Sequence, residues 1–308
     1  MTDGDGLARD PAADARAEPA RPPGEPPAAP PVAPPAAPVV ETPVSDNLPG
    51  QSAIIELLRV QATVPARSPL ARVFGLSPLN AESRPWYEAA VSEIEVGGVL
   101  ERLGDDWVVL HALPVGAGTT DIDHVVIGPG GVFIINTKNH PGQTVWASQR
   151  AFLVSGIRHP YIRNMEYEMG RVERLLGSAS GVAVEVSGIL AIVAAKSVTV
   201  REKHRDVTVL STSSVVQWLR DRPVVLDATR VAAIAGSAEL ATTWHQESEP
   251  VADRDHLRDR FQVLRTQVRR AWRLQVAWAA ATTVVGAGGF VLVTYSILLN
   301  ALGVLAAR

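Results

Sequence analysis

Cysteine is absent from the 308 residues. That excludes disulfides, thiolate metal sites and cysteine nucleophiles, and it fits a reducing compartment. Lysine is scarce: of 29 basic residues only Lys138, Lys196 and Lys203 are lysine. Where arginine is so favoured, a surviving lysine is either chance or a place that needs a compact ammonium. A strong charge of either sign is missing too. The net charge is −3, so global charge does not advertise nucleic-acid binding, although a local basic surface is compatible with it. The opening residues, Met-Thr-Asp-Gly-Asp, carry neither a basic n-region nor an apolar h-region, and no signal peptide is expected.

Charge also disappears between Leu274 and Ala307. A bilayer core of ~30 Å needs about 20 apolar helical residues. The interval Val276–Leu299 is therefore expected to be one transmembrane helix, the alternative being a buried core helix. Arg265, Arg269, Arg270 and Arg273 precede it and only Arg308 follows. The positive-inside rule then gives a single-pass protein of the cell membrane, with its N-terminal domain cytoplasmic. Residues 253–275 read as a basic amphipathic juxtamembrane helix, with Leu257, Phe261, Leu264, Val268 and Trp272 recurring every three or four positions. Such a helix could lie on the anionic leaflet, self-associate with a copy of itself, or simply be solvated.

At the other end, 13 of the 23 prolines fall before Gln51. A segment of this kind cannot bury enough apolar surface to offset its ordering entropy. Residues 1–50 are expected to be a disordered Pro/Ala-rich tail and 51–68 a linker.

The folded domain is expected at 69–246. Helices are predicted at Trp86–Leu103, Tyr161–Leu176, Ser213–Asp221 and Asp227–Thr243. Strands are predicted at Trp107–Leu110, Asp121–Gly128, Val132–Lys138, Val145–Ala147, Phe152–Val154, Ser187–Ala194 and Asp206–Leu210. The order implies an α/β fold with one mixed central β-sheet flanked by helices.

Gly128-Pro129-Gly130-Gly131 is a turn signal between β-branched runs. A two- or four-residue loop there sets Asp123 opposite Asn136 and Asp121 opposite Lys138. Residues two apart share a face of a strand, so these four groups project to one side, near the open end of the hairpin. On the first helix, Glu93 falls about 20° from Leu100 at 100° per residue, close to the apolar stripe. A carboxylate there is costly unless paired or bound to a cation. Glu93 beside Asp123 and Lys138 would form an oxygen-ligand site for Mg²⁺, or Mn²⁺, with a lysine to orient water or neutralise charge. The plainer alternative is a surface salt bridge between Asp121 and Lys138.

Asp-Ile-Asp-His-Val-Val-Ile-Gly-Pro-Gly-Gly-Val-Phe-Ile-Ile-Asn-Thr-Lys-Asn (121–139) closely resembles the central motif of the nuclease-related domain (NERD) family. That family is placed in the PD-(D/E)XK nuclease superfamily. The resemblance extends over roughly residues 70–222. It takes in Ala-Val-Ser-Glu (90–93), Trp107–Val115 and Tyr-Ile-Arg-Asn-Met-Glu-Tyr-Glu (161–168). It implies a restriction-endonuclease-like sheet, catalytic positions at Glu93, Asp123, Asn136 and Lys138, metal ligands at Glu93, Asp123 and Asn136, and DNA as substrate. Asn136 departs from the family pattern, which usually has Asp or Glu there; one ligand charge is lost, which weakens cation binding. Ser92 replaces the usual glycine. Three functions follow as expectations: a Mg²⁺-dependent phosphodiesterase cutting DNA at the membrane, a non-catalytic module binding nucleic acid or protein, or a purely structural membrane scaffold.

Weaker signals complete the reading. Arg163 and Asn164 open a helix and could meet phosphate. His111, His124, His140 and His159 show no metal-ligand spacing. The Gly-Pro-Gly-Gly turn is not a phosphate loop, since no Lys-Ser pair follows it.

Overall fold

The computed structural model describes residues 43–115, 121–244 and 253–306. On its last helix, side chains are described only as far as Thr283 and at Thr294. The element order is α1 (Gln51–Gln61), α2 (Pro69–Val73), α3 (Ser83–Leu100), β1 (Val108–Pro114), β2 (Asp121–Gly128), β3 (Gly131–Asn139), β4 (Thr144–Ala147), β5 (Phe152–Val154), β6 (Ile157–His159) and α4 (Tyr161–Ser180). It continues with β7 (Val186–Val193), β8 (Ser197–Val200), β9 (Val207–Ser211), α5 (Val215–Arg220), α6 (Ala228–Ala238) and α7 (Arg254–Ala306).

The fold is mixed α/β, as expected, but the strands form two sheets rather than one. The larger has the order β1-β2-β3-β7-β9, and the smaller β6-β5-β4-β8. In the larger sheet β1, β2 and β3 run antiparallel to one another, while β3, β7 and β9 are parallel. The split has a local cause. After Asn139 and after Val193 both chains break, and the pair resumes as β4 and β8, again parallel. The break is bridged by His140 N–H donating to the Val193 carbonyl at 3.0 Å and Lys196 N–H to that of Gln143 at 2.8 Å. Ala194 absorbs the bend with φ +55°. Strands β6 and β8 carry too few apolar residues to stand out in the sequence.

Local chemistry sets the element ends. The Asn80 side chain accepts from Ser83 N–H at 2.7 Å while Ser83 Oγ accepts from Asn80 N–H at 3.0 Å, a reciprocal cap before α3. Gly181 stops α4 in the left-handed region. Asp227 caps α6 through Arg230 N–H.

Both faces of the large sheet are covered. Val125, Ile127 and Ile134 pack with Met165, Val172 and Leu176 of α4 and Ile234 of α6. On the other face Val126, Phe133 and Ile135 pack with Val96 and Leu100 of α3 and Leu219 of α5.

Two expectations are revised, and a third falls largely outside the described side chains. Residues 1–42 lie outside the described residues, but 43–50 are folded, with Val44 buried against the sheet. The segment expected as a linker is α1, whose Ile54, Leu57 and Leu58 are buried against Ala90 of α3 and Leu257, Phe261 and Leu264 of α7. The apolar stripe of the juxtamembrane segment is thus largely taken up within the chain; only Trp272, 64 % exposed, remains free of it. Finally, the transmembrane span expected at 276–299 is not found: among the described residues no helix is long and apolar enough to cross a membrane. The part of α7 with described side chains is rich in arginine as far as Arg273 and is continuous only to Thr283, so most of the expected span lies outside the described side chains.

Candidate active site

The site opens where two strands part. β2 and β3 pair in the expected register, from Gly128↔Gly131 to His124↔Ile135, and the ladder stops there. Beyond it β3 keeps only β7 as partner, up to Asn139. On the far side of β2, Ala112 of β1 takes φ +46° and drops out of the β1–β2 ladder beside Asp123. The freed backbone is recruited by side chains. Asp123 Oδ2 accepts from Thr137 N–H at 2.5 Å, and the Ala112 carbonyl accepts from Asn47 Nδ2 at 3.1 Å.

A cavity of about 310 Å³ occupies the gap. Glu93, Asp121, Asp123, Asn136 and Lys138 all line it, as do Tyr161, Asn164 and Glu168 of α4 and Ser52 of α1. The four residues expected to carry chemistry are therefore brought together. Asn164 joins them; Arg163 is exposed and does not line the cavity. Ser92, in the place of the family's glycine, is buried and donates its hydroxyl back to the carbonyls of Glu88 and Ala89, so it costs the helix no unpaired group.

The salt bridge between Asp121 and Lys138 does not form among the described residues. Lys138 Nζ instead donates to Asn136 Oδ1 and lies 5.2 Å from the centre of the Tyr161 ring. The Asn136 amide then donates from Nδ2 to Glu168 Oε2 at 3.2 Å. An amide serves both neighbours, its oxygen toward the ammonium and its nitrogen toward the carboxylate. An aspartate at this position would set two carboxylates against each other.

Glu168 is the residue that sequence reasoning missed. It brings to the cavity the acid that position 136 lacks, from a different element. The available signal was spacing: Tyr161, Asn164 and Glu168 recur at three and four residues, one face of α4.

The electrostatics are uniform in sign. Burial pushes the Glu93 carboxyl well above the usual range; Asp123 raises it further, Lys138 opposes this, and Asp121 adds to the rise. Burial also raises Asp123, against the pull of Lys138 and the Thr137 bonds. Asp121 is raised by burial and restrained by Ser52. Glu168 is raised by burial, with the Asn136 bond and Lys138 pulling it down and Asp123 pushing it up. Four carboxylates thus face one ammonium, a set short of positive charge.

Whether a hard cation fits can be judged from these donors. No group of three or more His, Cys, Asp or Glu is arranged to hold a metal ion among the described residues. Glu93 and Asp123 remain as an oxygen pair, with Asn136 Oδ1 as a neutral third, and an ion such as Mg²⁺ keeps several of its waters. That donor set fits such an ion weakly but in the right sense, since a cation relieves the repulsion between the two buried acids.

Behind Asp123 sits a second polar pair. His111 Nδ1 and His124 Nδ1 lie 2.8 Å apart, with rings edge to face. His124 is fully buried and its Nε2 has no partner. An orphan donor is costlier than an orphan acceptor, which assigns the proton of His124 to Nδ1, donating to His111. Burial lowers both imidazoles, His111 to about 4.

No curated protein and no solved structure matches the chain. Residues 89–193 match the family model of the nuclease-related domain, NERD, a stretch that runs from α3 to the end of β7 and contains Glu93, Asp123, Asn136, Lys138 and Glu168. Over those residues the chain carries a nuclease-related domain.

Proposed function

We propose that the protein is a membrane-anchored, cation-dependent phosphodiesterase acting on DNA. The observation that carries this reading is the cavity that brings Glu93, Asp123 and Lys138 together at the parting of β2 and β3. Glu93 and Asp123 would hold the ion, which when bound supplies an activated water and charge neutralisation at phosphoryl oxygens. Asp123 is fixed by Thr137 N–H, so its free oxygen points in one direction only. Lys138, poised by Asn136 and Tyr161, would neutralise charge developing on the phosphate. Glu168 would hold the Asn136 amide so that its oxygen faces Lys138.

Anchoring belongs to the same reading. Helix α7 is continuous over 53 residues. Its uncharged interval 276–299 would span about 36 Å at ~1.5 Å per residue, enough for a ~30 Å core with some tilt. The arginines before that interval favour a cytoplasmic domain.

A second reading is favoured by Asn136 and because, among the described residues, no three acidic or histidine side chains are placed to hold one metal ion. In it the same cavity belongs to a non-catalytic module that binds nucleic acid or a protein.

Supercoiled plasmid incubated with the full chain in non-ionic detergent, with Mg²⁺, Mn²⁺ or chelator, separates the two. The first reading expects cation-dependent nicking that falls about 100-fold or more in Lys138→Ala and Asp123→Asn. Plasmid retarded in a gel but never nicked, with both variants unchanged, would select the second. Resistance of the chain to alkaline carbonate extraction from membranes tests the anchor separately.

A further inference from the structure

Away from the cavity, the short helix α2 lies along α7. Gly75, just after α2, approaches so closely that a Cβ there would sit 2.6 Å from the Ala271 carbonyl oxygen. Trp278 Nε1 donates to the Val73 carbonyl at 2.9 Å, and the Phe74 and Trp278 rings are 5.5 Å apart. The seam holds two adjoining hollows that share Arg72, Arg270 and Leu274.

The first hollow, about 600 Å³, is lined by Arg67, Arg72 and Arg270 with Gln61 and Gln267, and by no Asp or Glu. None of the three arginines forms an ion pair among the described residues. Arg67 is held in place by the Leu76 carbonyl at 2.8 Å and by Gln267. Three arginines therefore line a chamber that, among the described residues, no Asp or Glu lines. The second hollow, about 520 Å³, is lined by Val73, Ala277, Trp278 and Ala281 and is apolar apart from the shared arginines.

The surroundings point the same way. Helix α2 buries none of its residues. Leu70 is 69 % exposed, and Val73, Phe74 and Leu76 are each more than half exposed. A short helix and the turn after it presenting this much apolar surface lack the environment they were built for. The apolar hollow also runs along α7 at the start of the uncharged stretch 274–307.

We infer that the α2–α7 seam binds an anionic phospholipid, with the headgroup phosphate among Arg67, Arg72 and Arg270 and an acyl chain along Leu274, Trp278 and Ala281. Arginine suits the phosphate because its fork offers paired donors. A tryptophan with a bonded ring N–H suits the boundary between headgroup and acyl chain. The exposed apolar residues of α2 enter the same boundary and seat the domain on the leaflet. The inference rests on the proposed anchoring for its setting, but not on the nuclease chemistry.

The test uses the full chain in non-ionic detergent, with lipid retention followed by native mass spectrometry. Dioleoyl-phosphatidylglycerol, dioleoyl-phosphatidylcholine and inorganic phosphate are titrated in parallel. Phosphatidylglycerol should be retained in a defined stoichiometry and phosphatidylcholine much less. Retention should weaken roughly fivefold for each arginine removed in the series Arg72→Gln, Arg72→Gln/Arg270→Gln and the triple variant with Arg67→Gln. Arg258→Gln, on α7 outside the seam, should change nothing. Should the triple variant misfold, Arg72→Gln suffices, since Arg72 is exposed and has no ion-pair partner among the described residues. Equal retention of the two lipids, or of phosphatidylglycerol by wild type and Arg72→Gln, would overturn the inference. So would inorganic phosphate protecting as well as the lipid, which would mark a site for a soluble anion. Carbonate extraction reads the anchor independently: a chain that is extracted yet retains phosphatidylglycerol loses the anchor and keeps the site.

Discussion

Mild acid should weaken this fold through a buried imidazole. His111 shares an Nδ1···Nδ1 hydrogen bond with His124, and burial lowers it from 6.5 to about 4. As pH falls through 6.5 the unfolded chain takes up a proton that the folded chain refuses until about pH 4. Stability is therefore full above 6.5 and lost progressively down to about 4. At ~1.36 kcal/mol per pH unit the whole loss is roughly 3 kcal/mol, and about 2.5 kcal/mol of it falls between pH 7 and 4.5. His124 acts in the same direction. The carboxylates act oppositely. Glu93 is raised, so its contribution is present below the ordinary carboxylate value of 4.5 and is lost as pH climbs through the raised one. Wild type alone would mix the two effects, and comparison with His111→Gln separates them, because the amide can still meet His124 Nδ1 but does not titrate. Urea unfolding of the full chain in detergent at pH 7 and 4.5, followed by tryptophan fluorescence, gives the double difference. Wild type should lose about 2 to 3 kcal/mol more than the variant over that interval. Parallel losses in both proteins would refute the argument and show that the imidazoles are open to water.

Other changes have defined outcomes. Gly128→Ala would place a methyl group 2.3 Å from Trp107 Cε3, and displacing that ring should cost about 1 to 3 kcal/mol in urea unfolding. Phe261→Ala on α7 should cost about 3 to 5 kcal/mol, because the ring is 1 % exposed in the cluster it shares with α1 and α3; a loss below 1 kcal/mol would mean that α7 does not pack there. Glu168→Gln should reduce cation-dependent nicking and weaken Mn²⁺ binding measured by calorimetry, and Asn136→Asp should restore Mn²⁺ affinity when combined with it. If Asn136→Asp binds Mn²⁺ equally well with and without Glu168, the two positions do not compensate each other.

Much of the site was legible because strands have a short period. Asp121–Gly128 is a strand over the residues that the turn signal and its flanking β-branched run marked, and the Gly128–Gly131 turn fixed the register as far as His124↔Ile135, one step short of Asp123 and Asn136. Glu93 was legible because a carboxylate near an apolar stripe is an anomaly that periodicity exposes. For Glu168 the spacing shared with Tyr161 and Asn164 was not enough, since a glutamate on the polar side of an amphipathic helix resembles any solvated residue until the helix is packed on the sheet. The same holds for α1. Ile54, Leu57 and Leu58 form a stripe too short to stand out beside a proline-rich tail, and their partners lie on α3 and, some 200 residues away, on α7.

The sequence by itself determined the hairpin, its register and the side of the sheet on which an acid, an amide and a lysine would stand, because those follow from local backbone geometry. Tertiary structure decided that β2 and β3 part after His124, that Ala112 bends away beside Asp123, and that α4 delivers Glu168 to the amide at position 136. These depend on packing between elements distant in the chain. No periodicity encodes such contacts, since the free energy that holds them is shared among many buried side chains rather than carried by any one segment.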